Sequence, residues 1–199
     1  MSVIRELSLE FKGNRNYLHG TDIYEAMTSI ASSTQNGYVQ KILFRKPALR
    51  QLSVLDSSPC DSGDVIAQVH ICSGAESAEP FRLWLVERDE RVSERYTYDE
   101  ARISDACLLD EVGKRISKER DDAFSLIEEI VASHKVLCNA LFSDGDVHWL
   151  FSQLDLGVEM PTEVQELSIV NRSFLSGRMV VSEIVLDGIH VGSIRFIRS

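Results

Sequence analysis

The chain has 199 residues, 44% of them apolar and 26% charged, a composition that supports one large core or two small ones. Its net charge of −10 and pI near 5.0 exclude nucleic acid and anionic membrane as main partners, because both need a concentrated positive surface. Residues 1–6 carry charges at Arg5 and Glu6 and no apolar core of signal-peptide length, so no signal peptide is expected, and no run approaches the roughly 20 apolar residues of a membrane span.

Cys60, Cys72, Cys107 and Cys138 are widely spaced and fit no zinc pattern. They read as reduced thiols, which suits the cytoplasm. Cys60, in a Ser/Pro/Asp/Gly loop, is the one expected to be exposed.

Residues 3–11 alternate, with Leu7, Leu9 and Phe11 on one face, and predict a half-buried strand. Gly13-Asn14-Arg15-Asn16 breaks it. Ile23, Ala26, Met27, Ile30 and Ala31 then recur at helical spacing, with Thr21 or Asp22 as the expected cap. Asn36-Gly37 is a turn signal. Strands are predicted at Tyr38–Phe44, resuming after Pro47 at Leu52–Leu55, then at Val65–Cys72 and Phe81–Val86. Ser57–Gly63 and Ser73–Pro80 read as loops. Arg45, Lys46 and Arg50 form the best basic cluster, read mainly as solvated charges at a strand end.

Residues 91–121 read as a connector with some helix around Asp110–Glu119. Phe124, Ile127, Val131, His134 and Cys138 then mark a second helix, with Asp121 and Asp122 suited to its start and His134 expected in the core. Asp144-Gly145 is a turn signal. Val147–Leu156 and Val164–Val170 read as strands. Arg178–Leu186 and Ile189–Ile197 form a hairpin through Asp187-Gly188, which indicates a type I′ turn. One helix per half, followed by crowded strands, predicts an α+β fold in which antiparallel sheets each wrap a central helix. The expected division is 1–90, a connector over 91–121, and 122–199.

Residues 16–31 carry the strongest functional signal. His19-Gly20 stands just before the first helix, Thr21, Asp22 and Tyr24 follow, and Glu25 lies in the first turns. A helix start presents backbone N–H groups and a partial positive charge, so it can hold a carbonyl oxygen while a nearby His and Glu act on the compound. His70, His148 and His190 fall on strands with no ligand-like spacing, and no metal site is predicted.

The run Val39 to Leu49, with Phe44-Arg45-Lys46-Pro47 at its centre, resembles the second strand of hot-dog proteins, in particular the hydroxyacyl-carrier-protein dehydratases. The hairpin Gly177–Phe196 resembles the last two strands of the same fold. The resemblance implies two fused hot-dog units, a double hot-dog. It also implies acyl thioesters of coenzyme A or acyl carrier protein as substrates, with no cofactor beyond the pantetheine of the substrate itself. One chain of two units then acts as a monomer, or pairs as a homodimer.

Glu25-Ala26-Met27 matches a dehydratase helix run, but Phe11 stands where that family places its histidine, and Arg115 stands at the matching distance from Glu129. His19-Gly20 matches the start of a thioesterase His-Gly-Gly pattern, with Thr21 in place of the second glycine and Thr28 where an acid is expected. Two reactions stay open. In a thioesterase, N–H groups of Gly20 or Thr21 polarise the thioester carbonyl, while Glu25, Glu128 or Glu129 activates water or attacks. In a dehydratase, His19 takes an α-proton and Glu129 protonates the leaving hydroxyl. Thus His19, Glu25 and Glu129 are the expected catalytic residues, and Gly20, Thr21, Asp22 and Tyr24 the expected substrate contacts. A non-catalytic hot-dog module binding a ligand or protein is the alternative. A carrier-protein-dependent acyltransferase or decarboxylase is a third.

Overall fold

Alternating and helical patterns determine where the elements form, but hydrogen bonds from distant side chains decide where several of them end. The computed structural model describes residues 2–35, 37–73, 80–142 and 147–199. The chain divides into two units, Met1–Tyr98 and Asp99–Ser199. The segment 91–121, expected to connect them, is shared between both. Asn36 of the first turn signal, most of the loop Ser73–Pro80 and the turn Asp144-Gly145 lie outside the described residues.

The first unit runs β1 (Val3–Leu7), β2 (Phe11–Lys12), α1 (Gly20–Gln35), β3 (Gly37–Phe44), β4 (Arg50–Leu55), β5 (Val65–Ser73), β6 (Phe81–Arg91) and β7 (Arg95–Tyr96). Its antiparallel sheet has the order β1-β4-β6-β5-β3. The single strand expected over residues 3–11 is instead two. Gln51, buried on β4, accepts from Leu9 N–H and donates to Leu9 C=O, both at 2.8 Å, and so takes residues 8–10 out of the ladder. Phe11 and Lys12 then pair in parallel with Arg95 and Tyr96.

Ile23, Met27, Ile30 and Ala31 form the buried stripe of α1, which packs on β3 and β5. Each large apolar side chain buried there contributes roughly 1.5–3 kcal/mol.

The second unit runs α2 (Glu100–Asp105), β8 (Leu108–Asp110), β9 (Arg115–Glu119), α3 (Leu126–Phe142), β10 (Trp149–Leu156), β11 (Glu166–Leu175), β12 (Met179–Leu186) and β13 (Ile189–Arg198). Its sheet order is β10-β13-β12-β11-β9-β8. The helix expected around Asp110–Glu119 is a β-hairpin, because Ile116 and Lys118 alternate inward against β11; the short helix lies earlier, capped by Asp99.

Asp187 and Gly188 have φ of +48° and +80°, the type I′ geometry. The Asp187 carboxylate also accepts from the backbone N–H groups of Gln165 and Glu166, fixing the start of β11. A Cβ on Gly192 would lie 2.1 Å from Asp155 O, so only glycine allows β13 to approach β10 there.

Helix α3 is buried nearly all round, from Ile127 to Cys138, as a central helix requires. Each unit is thus an antiparallel sheet around one long helix that precedes four of its strands, and the chain is an α+β double hot-dog. Among the described residues, no helix is long and apolar enough to cross a membrane.

Candidate functional site

The amino end of α1 is anchored by the motif that suggested the fold. Leu18, buried just before the helix, donates its N–H to Ala48 C=O at 2.8 Å, directly after Phe44-Arg45-Lys46-Pro47. Neither Thr21 nor Asp22 occupies the cap position, a correction to the expected cap. The first intrahelical bond runs from Ile23 N–H to His19 C=O at 3.2 Å, so His19 is the N-cap residue and the first turn begins at Gly20.

Thr21 and Asp22 serve a side-chain network instead. Lys12 Nζ donates to Thr21 Oγ1 and to Asp22 Oδ1, both at 2.9 Å. Thr21 Oγ1 donates to Asp22 Oδ1 at 3.1 Å, and Tyr96 OH donates to Asp22 Oδ2 at 2.9 Å. His19 Nδ1 lies 2.7 Å from Thr21 Oγ1.

Lys12 is completely buried, with its Nζ 4.4 Å from the centre of the Tyr98 ring and 5.7 Å from that of Tyr96. Burying an ammonium costs several kcal/mol unless a carboxylate and other donor–acceptor contacts offset it, which Asp22, Thr21 and the two ring faces do here.

His19, Thr21 and Tyr24 are buried, with 8% of the His19 surface still exposed; Gly20 and Asp22 are half-buried and Glu25 is exposed. The structure therefore brings together His19, Thr21 and Asp22 from the expected set. It adds Lys12, Tyr96 and Tyr98, which the sequence reading missed. Period-two alternation puts Lys12 opposite Phe11 on the polar face, and nothing in the local sequence marks Tyr96 as a neighbour of Asp22.

Glu129 belongs to the second unit and is fully buried. Its carboxylate pairs with Lys118 Nζ and the Arg120 guanidinium, and accepts from Asp121 N–H at 3.0 Å. Desolvation lowers the pKa of both Lys118 and Arg120 from their ordinary values. Glu128 completes a capping box: Ser125 N–H donates to its carboxylate at 2.8 Å, and Glu128 N–H donates to Ser125 Oγ at 3.4 Å. That Ser-x-x-Glu signature is a local signal, legible in the sequence.

His134 is fully buried, 2.9 Å from Ser182 Oγ and edge-on to Phe196; burial alone pushes its pKa down to about 3. Of the basic cluster, Lys46 donates to Gly63 C=O at 2.6 Å and Arg50 pairs with Asp89. All four cysteines are free thiols, and Cys60 is exposed. Among the described residues no group of three or more His, Cys, Asp or Glu side chains is placed to hold a metal.

No protein-family model matches the sequence, and no curated protein matches it. Among solved structures, the chain is similar to the dehydratase domain of PpsC from Mycobacterium tuberculosis in complex with C12:1-CoA, at 12% identity and a TM-score of 0.47, over 92% of this chain and 85% of that one. It is similar to the erythromycin dehydratase at 10% identity and a TM-score of 0.46, over 93% and 82%. The dehydratase domain from the CurJ module of curacin polyketide synthase aligns at 9% identity and a TM-score of 0.45, over 100% and 86%.

Proposed function

We propose that the chain binds an acyl thioester, of coenzyme A or of an acyl carrier protein, at the amino end of α1. There His19 moves a proton in a dehydratase- or thioesterase-type reaction. The observation that carries this reading is the chain of hydrogen bonds from His19 through Thr21 to Asp22 at a helix start. A helix amino end is suited to a carbonyl that gains negative charge, and the N–H groups of Gly20 and Thr21 have no intrahelical acceptor to compete for them. A histidine held by a hydroxyl and a carboxylate is oriented for proton transfer. The resemblance of Phe44-Arg45-Lys46-Pro47 supplies the substrate class.

A panel of acyl- and hydroxyacyl-CoA thioesters tests the reading. Turnover of at least one is expected, with kcat/KM lowered roughly 10²–10⁴-fold in His19→Ala. Full turnover by His19→Ala would remove the site assignment. Crystals soaked with coenzyme A should show the ligand beside Gly20 and Thr21.

A second reading, a binding module without catalysis, is favoured by one observation. Glu129, one of the expected catalytic carboxylates, is engaged in a buried ion-pair cluster, and Glu25, the other, is exposed. Binding of coenzyme A with no turnover across the panel would select it.

A further inference from the structure

Tyr96 reaches His19 through Asp22 and Thr21, and Lys12 does so both by that route and through Thr21 directly. They are register partners in the parallel β2–β7 pair, which carries both to the amino end of α1. There they hold the two oxygens of Asp22, Lys12 on Oδ1 and Tyr96 on Oδ2. Asp22 in turn receives the hydroxyl proton of Thr21.

A threonine hydroxyl has one proton to give. A carboxylate is a stronger acceptor than a neutral imidazole nitrogen, so the Thr21 proton goes to Asp22. With that proton committed, the 2.7 Å contact between Thr21 Oγ1 and His19 Nδ1 is a hydrogen bond only if Nδ1 carries the hydrogen. Nε2 is then the basic nitrogen of the ring.

We propose that Lys12 and Tyr96 are positioning residues that, through Asp22 and Thr21, fix His19 as the Nδ1–H tautomer with Nε2 as its proton acceptor. The proposal rests on His19 being the proton-moving group, but its test does not depend on turnover.

The test is two-bond ¹H–¹⁵N correlation NMR of the full chain with ¹⁵N-labelled histidine, at a pH where the ring is neutral. The His19 signals are identified by their loss in His19→Gln. The wild-type ring should show the Nδ1–H pattern. Thr21→Val, which removes the hydroxyl at constant shape, should shift it to the Nε2–H pattern, and Thr21→Ser should restore it. Tyr96→Phe and Lys12→Met should each shift it partway toward Nε2–H.

A wild-type Nε2–H ring would overturn the proposal, as would an Nδ1–H pattern that neither Tyr96→Phe nor Lys12→Met changes, or one that Thr21→Val leaves in place. If Lys12→Met does not fold, Tyr96→Phe decides, since it keeps the ring over Lys12 and loses only the hydroxyl. Full turnover in His19→Ala would overturn the function while leaving the tautomer result standing, so the two failures are distinguishable.

Discussion

The two helix starts share a buried lysine–carboxylate pair and differ in how the helix end is capped. Lys12 precedes Gly20, the first residue of α1, by eight positions, and Lys118 precedes Leu126, the first of α3, by the same eight. Each lysine comes from a strand, is buried, and pairs with a carboxylate in the first turns of the helix, Asp22 or Glu129. The position before the helix is His19 in the first unit and Ser125 in the second. Ser125 makes a capping box that ties the helix end to itself. His19 caps only through its carbonyl and directs its ring at Thr21. The lysine–carboxylate pair is common to both halves, and the histidine at the position before the helix is what distinguishes the first.

The sheets differ as well. Counting β1 or β9 as first, and β3–β6 or β10–β13 as second to fifth, the first unit has the order 1-3-5-4-2 and the second 1-3-4-5-2. The halves share a register around their helices but do not share a strand order.

The largest effect that would break this comparison lies at Glu129. Replacing it with alanine leaves the buried Lys118 and the half-buried Arg120 without this counter-charge and should cost about 3–5 kcal/mol in denaturant unfolding. A loss below about 1 kcal/mol would mean that the pair does not hold the second helix start.

Next comes His134. The folded pKa of His134 lies near 3, below its unfolded value of about 6.5, so its contribution to stability is complete above about pH 6.5 and is lost as pH falls toward 3. Over that window stability should fall with a slope of up to about 1.4 kcal/mol per pH unit, and His134→Phe should flatten it. Thermal unfolding across this pH range measures the difference.

Ser125→Ala removes the cap and should cost about 1 kcal/mol, seen as a lower unfolding midpoint with unchanged m-value. The smallest effect is expected at Glu25. It is exposed, and Glu25→Ala should change stability by no more than about 0.5 kcal/mol. A large loss of turnover in that variant, with stability intact, would support a catalytic role for Glu25.

Local pattern carried much of the fold. The apolar stripe of α1, the alternation of β5 and the Asp187-Gly188 turn each follow from residues within a few positions of one another, whose spacing sets which side chains share a face. The split of the first strand did not follow, because it depends on Gln51, 42 residues from Leu9. The hairpin at β8–β9 was hidden by its charge, since only pairing with β11 reveals that Ile116 and Lys118 turn inward.

By itself the sequence determined one central helix per half, strands crowded after each, and His19-Gly20 at a helix start, because capping, periodicity and turn chemistry are short-range. Only tertiary structure decided that Lys12, Tyr96 and Asp22 meet, and that Glu129 is enclosed by Lys118 and Arg120. A buried charge finds its partner through space, and the cost of leaving it unpaired is set by an environment that no stretch of sequence displays.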